Sequence, residues 1–139
     1  LYIMTVKGTI FDGNENEIDK VFSNIVESYN EEESESVTLK FEKVLNLLKT
    51  WDIDYSSYNI EGVSHLYALW YLALYIINNQ LDDDSVREKM LSFYRDLRGD
   101  KMIAQTIIYQ QSMQSASRSK SARKKRVNAI LTYLKYETI

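Results

Sequence analysis

The chain has 139 residues, of which 45% are hydrophobic and 27% charged, with no proline, no cysteine and four glycines. That is enough chain for one globular domain with its own core, and the scarcity of turn-making residues excludes a many-stranded sandwich or barrel in favour of helices. Without cysteine there is no disulfide, thiolate nucleophile or cysteine-ligated metal, and the net charge of −3 conceals an asymmetry: residues 1–60 hold 12 acidic and 5 basic side chains, residues 61–139 hold 8 and 12.

The chain opens on Leu1 and reads as a piece of something longer. Residues 1–13 are expected to form a short extended arm, or the tail of a preceding domain. Thr5, Val6, Thr9, Ile10 and Phe11 favour the extended state, and Gly8 and Asp12-Gly13 punctuate it. The helical domain is expected over 14–139. Asn14 or Asn16 caps a first helix, whose Ile18, Val21, Phe22, Ile25, Val26 and Tyr29 recur at helical spacing as a full apolar stripe. An acidic connector, Glu31 to Ser36, leads into a second helix with its carboxylates near the positive end of the dipole. Val37, Phe41, Val44, Leu45, Leu48 and Trp51 form that helix's stripe. A tyrosine-rich loop follows.

The stretch from Val63 to about Gln80 is apolar or aromatic at nearly every position, which predicts a central helix buried all round. Its part from Val63 to Ile77 is the nearest approach to a membrane span and is about a core helix's length, so no membrane partner is expected. Asp82 to Ser85 start a fourth helix with Val86, Met90, Leu91, Phe93, Tyr94 and Leu97 on its inner face and Gly99 at its end. A fifth covers roughly residues 101–114. A serine-rich stretch reads as a loop or a fraying helix end, and a sixth helix buries Val127, Ile130, Leu131 and Leu134. The expectation is a single all-α, bundle-like domain of about six helices.

Few residues recommend themselves for chemistry. His65 is the only histidine, so it cannot found a histidine-rich metal site, and no nucleophile motif accompanies it. It reads as a helix-start residue with a satisfied ring. The run from Asp12 to Glu17 fails as a calcium loop, with Glu17 where glycine is needed and Ser23 where a bidentate glutamate is needed. Asp82, Asp83 and Asp84 read as capping charges rather than a magnesium site. Tyr67, Tyr71 and Tyr75 form a stripe that suits core packing better than base stacking. No catalytic residue, metal ligand or cofactor is assigned.

The strongest lead is the run Arg118, Lys120, Arg123, Lys124, Lys125 and Arg126: six cations and no acid within nine residues, flanked by Ser115, Ser117, Ser119 and Ser121. On a helix, Lys120 and Lys124 share a face, while Arg123 and Arg126 lie near the apolar edge. Such density can neutralise several phosphates, and serines offer short donors to phosphate oxygens. The six cations are the candidate nucleic-acid contacts. The alternatives are an idle solvated face, or a structural protein-interaction module whose basic helix docks on an acidic surface, its own acidic N-terminal third or a partner's.

From Leu69 to Leu134 the cadence of a buried helix, then "VREKMLSFYRDLRGD", then "QQSMQSASRSKSARKKRVNAIL" resembles the helical region that follows the ParB-like nuclease core in bacterial phage-defence proteins of the modification-dependent restriction type. In that resemblance Arg123, Arg126, Ile130 and Leu131 correspond to the family's "R…R…IL" helix. The nuclease core's own motif is absent from this chain. The resemblance implies a non-catalytic module of a larger cytoplasmic protein, with nucleic acid and an upstream domain of the same parent chain as its partners, and a nuclease activity carried by that upstream part.

Overall fold

A computed structural model of the protein describes residues 1–28, 30–81, 84–99 and 103–139. Among the described residues there are seven helices and no strand: α1 (Tyr2–Lys7), α2 (Glu15–Glu27), α3 (Glu31–Trp51), α4 (Val63–Asn78), α5 (Val86–Arg98), α6 (Ala104–Gln114) and α7 (Lys120–Leu134). The all-α, bundle-like expectation holds.

The seventh helix is α1, where an extended arm was expected. Its sequence favours a strand locally, but burial decides otherwise. Coiling residues 2–7 sends Ile3, Met4 and Thr5 together into the core, and Gly8 closes the helix at φ +63°, with its N–H on the Met4 carbonyl at 2.8 Å. Thr5 also accepts a hydrogen bond at 2.9 Å from the indole of Trp70. Residues 8–13 stay non-helical.

Asn14 is the cap of α2, accepting from the Glu17 N–H at 2.9 Å. Asn30 caps α3 in the same way, from Glu32 N–H at 2.9 Å, so the acidic run forms the first turns of α3 rather than a connector. Helix α4 is the centre. Ten of its sixteen residues are buried, more than in any other helix. It packs against α3 on one side and α7 on the other, while α7 also lies against α6 and α5, and α1 rests on α3. Val86, Met90, Phe93, Tyr94 and Leu97 face inward from α5, and Val127, Ile130, Leu131 and Leu134 from α7. Leu91, expected among them, is half-buried. Of the candidate acidic cap, Asp82 and Asp83 lie outside the described residues, as do Lys101 and Met102 at the expected start of the fifth helix.

Helix α2 departs most from expectation. Its stripe has the helical period, yet no residue from Glu15 to Glu27 is buried, and Tyr29 lies outside the described residues. Phe22 is 47% and Val26 72% exposed, and α2 makes no extensive contact with any other helix.

Trp70 is 1% exposed, with its ring 4.4 Å from that of Phe41. Trp70→Ala is expected to lower stability by about 3–5 kcal/mol in urea unfolding, through the cavity it leaves and the hydrogen bond to Thr5 it removes. An unchanged urea midpoint would show that α4 is not the packing centre.

Candidate nucleic-acid interface

The six cations lie in the turn between α6 and α7 and in the first two turns of α7. Ser119 caps α7, accepting from the Ala122 N–H at 3.2 Å, and residues 115–119 form the turn, with Ala116 at φ +45°. The helical period then sorts the cations onto different faces.

Arg126 is fully buried, at 0% exposure. Its Nη1 donates to the Ser112 carbonyl and to Met113 Sδ, both at 3.1 Å, and its Nη2 donates to the Ser117 carbonyl. Ser112 belongs to the last turn of α6, where carbonyls lack helical partners and the dipole is negative. The side chain thus ties the end of α6 to α7 from inside. Burial pulls its pKa below the ordinary value, and Arg123 adds to this, but an arginine starts high enough to remain charged. As a phosphate contact Arg126 has to be withdrawn, since its i, i+4 relation to Ile130 carries it onto the buried face.

Arg123 is half-buried and turned toward the N-terminal segment. Its Nη1 donates to the Phe11 carbonyl at 3.1 Å, and its guanidinium lies 4.2 Å from the centre of the Tyr67 ring and 5.4 Å from that of Phe11. Two further bonds fasten the same segment. Gly13 N–H donates to the Arg118 carbonyl at 3.1 Å, and Asp12 Oδ2 accepts from the Lys120 N–H at 3.1 Å. The Lys120 N–H bond, the largest cause, holds the Asp12 carboxyl below its usual pKa. A side chain at residue 13 has no room: its Cβ would fall 2.5 Å from Arg123 Nη2 and 2.9 Å from the Arg118 carbonyl oxygen. Sequence reading took Asp12-Gly13 for punctuation and missed this strap, which only the long-range fold creates. The helix N-terminus, a ready anion site, is therefore already met by a carboxylate of the same chain.

Arg118, Lys120, Lys124 and Lys125 are exposed, and among the described residues none forms an ion pair. Lys125 stands in the wall of a groove of about 510 Å³ between α6 and α7, lined also by Ile108, Gln111, Ser115, Ser121 and Ala122. Three of the flanking serines, Ser115, Ser119 and Ser121, line the groove, Ser119 also giving its hydroxyl to the cap, while Ser117 gives its carbonyl to Arg126. The tyrosine stripe faces the core, with Tyr67 and Tyr71 buried and Tyr75 stacked on Tyr136 at 5.9 Å.

Behind this corner, His65 Nδ1 lies 2.8 Å from the buried Tyr109 hydroxyl. Burial, with smaller contributions from Arg98 and Arg126, lowers the imidazole pKa from 6.5 to about 4, while burial raises that of Tyr109. Among the described residues no group of three histidine, aspartate or glutamate side chains is placed to hold a metal ion, and no helix is long and apolar enough to cross a membrane. Compared with protein-family models, curated proteins and solved structures, the chain matches none.

Two outcomes follow from the buried groups. Arg126→Ala should cost about 3 kcal/mol in urea unfolding, since hydrogen bonds from a charged donor are each worth roughly 1.5–3 kcal/mol. Lys124→Ala, on the exposed face, should stay within about 0.5 kcal/mol. For His65, the unfolded imidazole takes up a proton near pH 6.5 while the folded ring stays neutral until about pH 4. The unfolded state therefore binds more protons in that window. Stability is full above pH 6.5 and falls as the pH drops toward 4, by on the order of 2–3 kcal/mol from this group. Melting curves of the parent and His65→Gln between pH 7 and pH 5 should show the parent's slope and a shallower one in the variant; equal slopes would contradict it.

Proposed function

We propose that the domain is a non-catalytic helical module that positions nucleic acid through Arg118, Lys120, Lys124 and Lys125. The observation that carries this reading is the exposure of all four side chains on one turn and helix start, without an acidic partner among the described residues and with Lys125 in the wall of the groove. Four cations on one corner attract a phosphate backbone without reading its sequence. The resemblance to the helical region of ParB-like nuclease defence proteins supplies a setting: a cytoplasmic restriction-type protein whose nuclease activity lies in another part of a longer chain. Arg123 and Arg126 serve the fold of the corner and are not contacts in this reading.

A second reading is a structural interaction module whose basic corner docks on an acidic protein surface. The apolar stripe of α2, left exposed and bordered by carboxylates, favours it.

Changing Lys120 and Lys124 together to Glu should leave the melting temperature within a degree or two of the parent's, because both side chains are exposed. Under the nucleic-acid reading it should weaken binding of a fluorescently labelled duplex equally across sequences and reduce the log–log salt slope by roughly one to two units. Unchanged duplex binding would remove that reading.

A further inference from the structure

Helix α2 leaves part of its apolar stripe uncovered. Ile18, Val21 and Ile25 are half-buried, and Phe22 and Val26 stand in the open. The stripe is bordered by Glu15, Glu17 and Asp19, and the helix's one cation, Lys20, is already paired with Glu17 at 3.7 Å. A partner for this face must offer apolar contact inside a cationic border. Pairing two α2 helices would set acidic borders against each other, whereas a basic groove complements them.

The α6–α7 groove has the required character. Ile108, 43% exposed, and Ala122 give it an apolar floor, Lys125 stands in its wall, and Arg118, Lys120 and Lys124 are exposed on the same turn and helix start. Within one chain, α2 begins two residues after Gly13, which is bonded to Arg118. The acidic helix and the basic groove therefore lie on either side of a single link. A contact of α2 on one copy with the groove of another, if repeated by two-fold symmetry, closes into a pair.

We infer that the chain forms a reciprocal dimer in which α2 of each copy lays Phe22 and Val26 into the α6–α7 groove of the other. This rests on the second reading above and names its acidic surface. It also makes self-docking and phosphate binding mutually exclusive, because both use the same cations.

Sedimentation equilibrium of the whole chain tests it without nucleic acid. The parent should dimerise with rising concentration, more weakly at about 0.5 M than at about 0.05 M salt, where the Debye length is roughly threefold longer. Phe22→Ser with Val26→Ser, and separately Lys125→Glu, should each weaken dimerisation at least tenfold with the far-ultraviolet circular dichroism unchanged. An equimolar mixture of the two variants should recover a hetero-dimer, because one α2 and one groove remain intact between them. A monomeric parent, a dimer indifferent to the α2 changes, or no recovery in the mixture would each overturn the inference. Duplex binding measured at protein concentrations too low for dimerisation reports on the nucleic-acid reading alone, so the two can fail separately.

Discussion

Arg126 places a permanent positive charge inside the protein, and the geometry of the last two helices follows from how that charge is held. A bare buried cation is costly. Here no carboxylate among the described residues pairs with it. The compensation comes from the Ser112 and Ser117 carbonyls, the Met113 sulfur and the negative end of α6. Meeting these acceptors requires the chain to leave α6, swing through Ser115–Ser119 and enter α7 along one path. With that path set, Val127, Ile130, Leu131 and Leu134 fall against α4 and α5, and the groove between α6 and α7 takes its shape.

The surrounding like charges are relieved by being separated, not by being neutralised. Arg126 goes inward, and Arg123 goes sideways to the Phe11 carbonyl and the Tyr67 ring. The lysines stay in water. This division follows the chemistry of the head groups. A planar, weakly hydrated guanidinium can satisfy several carbonyls and lie on an aromatic face, while an ammonium gives up its hydration reluctantly. Arg118 is outside, yet its carbonyl holds Gly13, so its backbone serves the fold while its side chain faces solvent.

Periodicity made most of the architecture legible. The inner faces of α5 and α7 and the central place of α4 can be read from spacing alone, although Val63 and Leu66 of α4 remain exposed. Two elements were not legible, for opposite reasons. In α1, β-favouring residues yield to the burial of Ile3 and Met4 and to the Trp70–Thr5 bond, both tertiary effects. In α2 the apolar pattern is as regular as in α3, but a pattern shows which face seeks cover and not what covers it. At the candidate site, clustering of the cations was visible. Their sorting was half visible, since Arg123 and Arg126 could be placed near the apolar edge. The strap of Phe11, Asp12 and Gly13 was not, because its partners lie more than a hundred positions away and no local signal marks them.

That distance has a kinetic meaning. The Asp12 carboxylate and the Lys120 N–H are separated by 108 positions. Closing so long a loop costs on the order of 4 kcal/mol in chain entropy. The α6–α7 hairpin closes over a span of only 9 to 14 positions at Arg126, so it can assemble early and alone. The strap has nowhere to attach until α7 has begun, which makes its closure a late event. A substitution at Gly13 would therefore leave the folding rate nearly unchanged and appear instead as faster unfolding, with the N-terminal segment the first part to let go.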